Sequence, residues 1–409
     1  METSIGIAVV GAGASGLMAA LTAARAGAQV TVIEKNTVPG KKLSATGNGR
    51  CNLTNRNMGR QFYSGDEVFV TRVLDSFGVD EELAFFEALG LVLKTDPDGR
   101  VFPVCERATA VTSVLELALE EAGGKLLAAA AVESIRKTDG KFTLALSNGN
   151  SLRADSVVLA CGSHAHPQLG GSEAGNLLAT GFGHKLKKPI PVLVPLLVRQ
   201  KGIARLQGIR VNAELSAFSE SRELCRANGE LLFTAYGISG PCAINLSAGV
   251  VPVLMENRPV TVKMNLFPGK TTEDLAEFMT ARRNSLPDRK IKRFFTGWLH
   301  ETLSNLLIDF IGVEKNKTAA ELSANEIAHL AKTLCGWEFD ITGSGSWREA
   351  MCACGGVETS TIDPDTMQSL LEPGLYITGE LLDVNGLCGG YNLHFAWATG
   401  RLAGKNAAR

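Results

Sequence analysis

The start of this 409-residue chain sets a glycine cluster between two apolar runs. The run from Ile5 to Val10 predicts a buried strand, which leads into GAGASG and then into an alanine-rich helical pattern. A second apolar run, Gln29 to Ile33, ends on Glu34. Strand, glycine turn, helix, strand and acid in this order predict a dinucleotide-binding βαβ unit.

Each glycine of the cluster has its own expected role. Gly11 permits the tight turn, Gly13 lets the backbone approach a pyrophosphate, and Gly16 lets the helix pack closely on the sheet. The free N–H groups and positive dipole end of the helix then face the phosphates. Glu34 can accept hydrogen bonds from both hydroxyls of an adenosine ribose.

The composition favours a globular protein without a membrane span. Hydrophobic residues make up 45% and charged residues 20% of the chain. The formal net charge of −1 gives the protein as a whole no electrostatic attraction to nucleic acid or to a membrane. We read no signal peptide at the start and no bilayer-length apolar stretch. Nine cysteines without a framework spacing fit a reducing cytoplasm. Cys352 and Cys354 have no partners at metal spacing, so we predict no metal site.

The elements that follow favour FAD over NAD as the dinucleotide. The sequence predicts helices over Asp80–Gly90 and Ala108–Ala122, and strands over Leu126–Ile135, Phe142–Leu146 and Val157–Ala160, the last ending at Gly162. A dinucleotide unit, a helical excursion, a β-meander and a return strand are how flavin domains of the glutathione-reductase type are built. Backbone near Val132 would meet the adenine in such a domain.

The end of the chain returns to the same domain. Leu375–Thr378 predicts a strand that ends in Gly379-Glu380, and GGYN then opens a helix that runs through Arg401. In such domains the start of this helix points at the pyrimidine edge of the isoalloxazine, where it stabilises negative charge on the reduced ring. We therefore predict an α/β fold with a two-piece Rossmann-like FAD-binding domain of the glutathione-reductase type.

The middle of the chain predicts an insertion. The boundaries are 1–187 and 346–409 for the FAD-binding domain, 188–267 for a β-barrel or sandwich, 268–334 for a helical domain, and 335–345 for a return through the β-rich part. Ser323 and Glu326 have capping-box spacing. The Arg282–Trp298 region carries basic residues followed by aromatic ones, which predicts either a local RNA contact or a solvated charged helix face.

Four segments together resemble one known family. They are the glycine cluster with Glu34, GKKLSATGNGRCNLTN, GELLFTAYGISGP and GLYITGELLDVNGLCGGYNLHFAWATG, and they resemble the bacterial BaiN/RdsA flavoprotein family over essentially the whole chain. The resemblance implies bound FAD, the three-part organisation and a cytoplasmic location. It also implies several activities: reduction of a conjugated double bond in 3-oxo bile-acid intermediates, oxidation of aminoacetone, or reduction of uridine to dihydrouridine in large-subunit ribosomal RNA.

The resemblance and the glycine pattern also imply a set of cofactor contacts. At the adenine and phosphate end these are Gly11, Gly13, Ala14, Ser15, Gly16, Glu34, Lys35, Lys42, Val132 and Gly162. At the flavin end they are Gly47, Asn48, Arg50, Gly379, Glu380, Gly390, Tyr391 and Asn392. The chain departs from the family at Ala235, where many members have histidine, at Cys352-Ala353, and at Asn385.

The favoured hypothesis is hydride chemistry. NAD(P)H would reduce FAD, and flavin N5 would pass hydride to an electron-poor C=C while a nearby acid supplies the proton. Cys51, Cys388 and Tyr391 are candidate acids, although each could equally be a packing residue. Three alternatives stay open: an oxidase of a small amine or amino ketone, a flavin-containing RNA-binding or assembly factor without turnover, and an NAD-only dehydrogenase. The sequence leaves the oligomeric state open.

Overall fold

The computed structural model describes residues 2–409. Its strands are β1 (Glu2–Val10), β2 (Val30–Ile33), β3 (Thr54–Asn55), β4 (Tyr63–Ser64), β5 (Leu93–Thr95), β6 (Arg100–Pro103), β7 (Lys125–Leu127), β8 (Val132–Thr138), β9 (Lys141–Leu146), β10 (Ser151–Leu159), β11 (Leu186–Val192), β12 (Leu196–Arg199), β13 (Arg210–Ser219), β14 (Arg222–Phe233), β15 (Gly237–Ser239), β16 (Val260–Asn265), β17 (Trp337–Ser344), β18 (Cys352–Val357), β19 (Leu375–Ile377) and β20 (Asn385–Gly386). Its α-helices are α1 (Ala14–Arg25), α2 (Thr46–Gly49), α3 (Glu67–Asp75), α4 (Val79–Ala88), α5 (Ala108–Glu121), α6 (Ala174–Thr180), α7 (Gly240–Met255), α8 (Thr272–Ser285), α9 (Glu301–Ile311), α10 (Ala324–Cys335) and α11 (Tyr391–Ala407).

The first compact unit comprises the chain up to Pro191 together with Ala350–Arg409. Its central sheet has parallel strands in the order β7, β2, β1, β10 and β19. The second half of β10 pairs with β19, and its first half pairs with β9 of the antiparallel meander formed by β8, β9 and β10. Because β19 comes from the C-terminal piece, the sheet confirms the predicted two-piece Rossmann-type fold.

Two glycines in the last helix bring α1 and α11 into direct contact. A Cβ atom at Gly400 would lie 2.3 Å from the carbonyl oxygen of Ser15, and one at Gly404 would lie 2.2 Å from that of Ala19. Any side chain would clash at these distances, so only glycine permits the approach. The first and last pieces of the chain are therefore joined through their helices as well as through the sheet.

Most predicted elements of this unit are confirmed. The strands and helix of the opening βαβ unit are present. The residue ranges of α4 and α5 overlap the two predicted helices, and β19 precedes α11 as expected. Gly123 follows α5 with φ +79°, the left-handed conformation expected after a helix end.

The predicted strand Leu126–Ile135 is wrong as a single element, because the structure has two strands, β7 and β8, in its place. Between them Ala129 has φ +55°. The N–H groups of Ala129 and Ala130 donate to the carbonyl oxygens of Asn36 and Glu34, each at 2.9 Å. These bonds turn the chain across the end of β2 and interrupt the strand.

The second compact unit is Val192–Glu349. Six of its strands form a closed barrel in the order β12, β15, β14, β13, β16 and β17, as the sequence predicted for part of this region. Helices α8, α9 and α10 follow β16 and belong to the same compact unit. The predicted capping box is confirmed at the start of α10, where the Glu326 N–H donates to Ser323 Oγ at 3.2 Å and the Ser323 N–H donates to Glu326 Oε2 at 2.8 Å.

Helix α7 lies within the stretch from 188 to 267 that was predicted to be β-rich, and the sequence pattern did not predict it. It packs against all six barrel strands and buries Ile244, Leu246 and Val250 among other residues. Because its sequence is apolar almost throughout, no polar face marks a helical period. Pro241, at its first turn, was the available signal for a helix start.

The Arg282–Trp298 region is also corrected in part. Phe294 and Phe295 are 0% and 1% exposed, and Trp298 packs on Phe295 with ring centroids 5.6 Å apart, so the two phenylalanines cannot stack on RNA bases. Arg282 donates to two backbone carbonyls through Nε and Nη2. Across residues 2–409, no helix has the length and apolar character needed to cross a membrane.

Candidate functional site

A deep cavity lies in the first unit, where the parallel strands end and α1 and α11 begin. It encloses about 1120 Å³ not filled by atoms, part of which is open to solvent. The carboxyl ends of parallel strands are where such folds bind ligands. Segments of the chain that line it are 10–15, 33–36, 40–43, 130–132, 160–163, 169–172 and 392–393.

The start of α1 forms one end of this cavity. Gly13 caps the helix, and a Cβ atom there would meet no protein atom within 4 Å. The first turn of α1 contains no acidic residue, so its positive dipole end is not neutralised locally. Backbone N–H groups facing open space at a helix start are the arrangement that binds phosphate.

Glu34 is 7% exposed and holds the turn around this end of the cavity. Its Oε2 accepts a hydrogen bond from the Ala12 N–H at 2.8 Å, and its Oε1 accepts from the backbone N–H and the side-chain amide of Asn36 at 2.8 and 2.7 Å. An ionised carboxylate offers about four acceptor positions. Three of these positions are used within the protein, and one remains.

A cation and an anion from opposite ends of the chain meet on the cavity wall. Lys42 Nζ lies 2.5 Å from Glu380 Oε2, and Ser163 Oγ donates to the same oxygen at 3.1 Å. The Lys42 and Glu380 side chains are 26% and 22% exposed. Each residue comes from a segment that the sequence singled out, and both line the cavity.

Sequence reasoning missed the cavity wall at 169–172. The side chain of Lys35 donates to Ser172 Oγ at 2.7 Å, which ties this loop to the end of β2. A Cβ atom at Gly171 would lie 2.0 Å from the Ala165 carbonyl oxygen, so the loop needs glycine there. The only available signal was the pair Gly170-Gly171 shortly after the return strand.

The cavity brings together eleven of the predicted cofactor residues. They are Gly11, Gly13, Ala14, Ser15, Glu34, Lys35, Lys42, Val132, Gly162, Glu380 and Asn392. The other predicted residues lie outside its lining, and they are Gly16, Gly47, Asn48, Arg50, Gly379, Gly390 and Tyr391. Gly16 has a packing role, because a Cβ atom there would lie 1.9 Å from the Gly11 carbonyl oxygen. Gly379 is similar, with Ser15 Oγ at 2.7 Å.

The predicted flavin-end loop folds on itself at Gly47 and Asn48, which both have φ +57°. The Arg50 guanidinium lies over the Phe102 ring, 4.4 Å from its centroid. This loop leads into β3, and a Cβ atom at Gly390 would lie 2.6 Å from the Thr54 carbonyl oxygen. The strand that follows this loop, β3, is therefore in contact with the start of α11.

The candidate proton donors differ in their surroundings. Cys51 has no exposed surface, and burial raises the pKa of its thiol to about 12. Tyr391 is 6% exposed and stacks on Phe62 with centroids 4.5 Å apart. Cys388 is half-buried, and burial raises the pKa of its thiol. In the chain from residue 2 onward, no group of three or more His, Cys, Asp and Glu side chains is placed to hold a metal ion.

Comparison with known proteins shows the family. The model of the HI0933-like protein Rossmann domain family matches residues 5–406. The 3-dehydro-bile acid delta(4,6)-reductase of Clostridium scindens is 36% identical over 405 residues, which is 98% of each chain. The ribosomal RNA dihydrouridine synthases of Haemophilus influenzae and Escherichia coli are each 30% identical, covering 96% of this chain and 95% of each synthase.

One solved structure gives independent support for the fold. The 3-ketosteroid delta1-dehydrogenase from Sterolibacterium denitrificans aligns over 99% of both chains with a TM-score of 0.54 and 12% sequence identity. At that identity the likeness shows the fold alone. With the family match over nearly the whole chain and the cavity between two helix starts, the conclusion is that this chain belongs to the HI0933-like family and is an FAD-dependent oxidoreductase.

Proposed function

We propose that the cavity of the first unit holds FAD and that the protein uses it to reduce an electron-poor C=C bond conjugated to a carbonyl group. The observation that carries the proposal is one cavity that receives the starts of both α1 and α11. A cofactor with a phosphate part and a ring part needs one helix start beside each part. When bound, FAD supplies two-electron chemistry by accepting and donating hydride.

The residues fit the cofactor in separable ways. Gly13 leaves the space that a pyrophosphate needs, Lys42 contributes positive charge beside it, and Glu34 has one acceptor position for a ribose hydroxyl. At the other end, the start of α11 contributes Asn392 and Leu393 to the lining. The predicted ring contacts Gly47, Asn48, Arg50, Gly390 and Tyr391 are proposed to approach the ring from the adjacent loop and helix start.

The named relatives support the reaction type. One is a delta(4,6)-reductase and two are dihydrouridine synthases, and both names describe saturation of a C=C bond in a conjugated system. We propose NAD(P)H as the reductant: its hydride and one proton saturate the bond, and NAD(P)⁺ leaves. Among the proton donors we favour Cys388, because its side chain is half-buried whereas Cys51 has no exposed surface.

The leading substrate is a uridine in large-subunit ribosomal RNA. Lys290, Lys292 and Arg293 are exposed. Together with Arg289 they line an open concavity in the second unit. Exposed cations in a concave surface suit contacts to RNA phosphates, while the burial of Phe294 and Phe295 excludes their stacking on bases. A cytoplasmic location follows from this substrate.

A small enone is the second candidate. The 36% identity to the bile-acid reductase over 98% of both chains favours a 3-oxo steroid-like substrate as much as the synthases favour RNA. Both candidates present the same reacting unit, a C=C bond next to a carbonyl group.

The test is a map of dihydrouridine in ribosomal RNA from cells with and without the gene. Loss of one dihydrouridine on deletion, restored by the intact gene and not by Gly13→Glu, supports the RNA reductase. An unchanged map together with anaerobic NAD(P)H oxidation driven by a 3-oxo-4-ene steroid supports the enone reductase. Oxygen consumption with a small amine and no NAD(P)H would overturn both in favour of an oxidase.

A further inference from the structure

A fully buried acid–histidine pair lies on α11 and α4, outside the cavity lining described above. Nδ1 of His394 is 2.5 Å from Oε2 of Glu82 and 2.9 Å from Oγ1 of Thr54. All three residues have no exposed surface. Burial raises the pKa of the Glu82 carboxyl group, while His394 and the Thr54 hydroxyl act to lower it. The carboxyl group is thus held by two side chains and not by solvent.

If the pair of Glu82 and His394 served only to pack the core, it would lower the stability of the fold. Oε1 of Glu82 and Nε2 of His394 are buried, and within the part of the chain that the structure describes neither has a hydrogen-bond partner. Unsatisfied buried polar atoms are destabilising, and apolar residues of similar volume would fill the same space without that cost. The arrangement therefore indicates a role in orientation.

Two further hydrogen bonds join residues 53–55, which include Thr54, to the first part of α11 and the residues just before it. The indole N–H of Trp397 donates to the Leu53 carbonyl oxygen at 3.2 Å, and the side-chain amide of Asn55 donates to the Gly389 carbonyl oxygen at 3.0 Å. The His394–Thr54 contact lies between them in sequence on both segments. Residues 53–55 and the start of α11 are therefore fastened side by side at three successive points.

His394 also fixes the first turn of its helix. Its backbone N–H donates to the Gly390 carbonyl oxygen at 3.0 Å, which closes that turn. The N–H groups before it have no partner within the helix. Asn392 and Leu393, which precede it directly, line the cavity. Movement of His394 would change the direction in which these N–H groups point.

We propose that His394, held by Glu82 and Thr54, is a positioning residue for the flavin: it fixes the start of α11 so that its free N–H groups meet the electron-accepting part of the cofactor. The proposal rests on the FAD site proposed above. A helix start stabilises negative charge, and reduction adds negative charge to the flavin. Loss of the contact should therefore weaken FAD binding and make the bound flavin harder to reduce.

The experiment compares matched variants of the purified holoprotein. Thr54→Val removes the hydroxyl and Thr54→Ser keeps it, while His394→Leu removes the imidazole and His394→Gln keeps a polar group. His184→Leu is the control, because His184 is also buried and bonded to two hydroxyl groups, those of Thr361 and Ser369, at 2.8 and 2.9 Å. The readouts are the FAD dissociation constant, the midpoint potential of the bound flavin and the melting temperature.

We expect His394→Leu and Thr54→Val to raise the FAD dissociation constant roughly tenfold and to lower the midpoint potential. Thr54→Ser and His394→Gln should recover most of both values, and His184→Leu should lower the melting temperature alone. If His394→Leu does not fold, the comparison of Thr54→Val with Thr54→Ser tests the positioning role. Wild-type affinity and potential in Thr54→Val, or equal losses in His184→Leu, would overturn the positioning role. Failure of the wild-type protein to bind FAD would instead overturn the proposed function.

Discussion

Lys42 and Glu380 lie 338 positions apart in the sequence, and their charged groups meet 2.5 Å apart on the wall of the cavity. Lys42 follows the opening βαβ unit, and Glu380 follows β19 at the other end of the chain. The ion pair can therefore form only when both pieces of the FAD-binding domain have assembled. The charge distribution on this wall of the cavity therefore depends on the assembly of both pieces.

Lys42→Met should weaken FAD binding. The substitution removes the positive charge beside the expected phosphates, and a hydrogen bond to a charged group contributes about 1.5–3 kcal/mol. Glu380→Gln keeps the shape of the side chain and frees Lys42, so we expect a smaller change. Titration of apoprotein with FAD, followed by flavin fluorescence, measures both.

The matched control for this pair is Lys94→Met. Lys94 pairs with Glu106 in the same unit, but outside the cavity lining and with greater exposure. Exposed pairs contribute little, about 0–1 kcal/mol. We expect wild-type FAD affinity in this variant, and equal effects of Lys42→Met and Lys94→Met would contradict the assigned role.

Three glycine-to-alanine changes separate cofactor contact from packing. Gly13→Ala meets no protein atom and should leave the stability of the apoprotein unchanged while FAD affinity falls. Gly16→Ala brings its Cβ to 1.9 Å from the Gly11 carbonyl oxygen, and we expect a loss of about 1–3 kcal/mol in unfolding free energy. Gly78→Ala has open space at the start of α4 and is the control for both. Chemical denaturation and FAD titration distinguish the three.

The buried thiol of Cys51 should resist alkylation in the folded protein. Burial raises its pKa from 9.0 to about 12, so the thiolate is scarce at pH 8 and the sulfur is also inaccessible. Cys105 is exposed and should react with iodoacetamide under the same conditions. Mass-spectrometric mapping with and without urea measures this. Native-state modification of Cys51 as fast as that of Cys105 would contradict the buried position and restore it as an accessible acid.

The sign of the pH effect follows from the same shift. The folded state holds the Cys51 proton more tightly than the unfolded chain does, so this group stabilises the fold below pH 9.0 and loses that contribution as the pH rises to about 12. Cys51→Ala should flatten that part of the stability profile, as measured by denaturation at a series of pH values.

Neutralising Lys290, Lys292 and Arg293 together should weaken binding to a single-stranded RNA fragment. Each phosphate contact contributes about 0.7 to the slope of log affinity against log salt, so the slope should fall by about two. The control replaces Arg205, Arg210 and Arg226, which belong to the same unit but are already paired with carboxylates. Equal losses in both triple variants would show non-specific attraction, and unchanged affinity would remove RNA contact from this surface.

The sequence predicted the parts of the site that depend on local backbone chemistry. The glycine turn, the helix start and Glu34 follow from short-range rules, and all three lie on the cavity. The loop 169–172 was not predictable, since its place on the wall depends on the distant contact between Lys35 and Ser172. The periodic pattern of hydrophobic residues in a sequence does not reveal a contact between side chains so far apart in the chain.

The remaining differences have related physical causes. Strand Leu126–Ile135 is broken by hydrogen bonds to the end of β2, which are tertiary contacts. Helix α7 was hidden because a helix packed against every strand of a barrel has no polar face to reveal its period. The pairing of Glu82 with His394, over 312 positions, has no local signature at all.

The most direct test of the account is the visible absorption spectrum of the purified protein, with mass-spectrometric identification of the cofactor released on denaturation. We predict a yellow protein that releases FAD in a 1:1 ratio, is bleached by NAD(P)H without oxygen, and is colourless as Gly13→Glu. A wild-type protein that is folded, colourless and unable to take up added FAD would contradict the central claim.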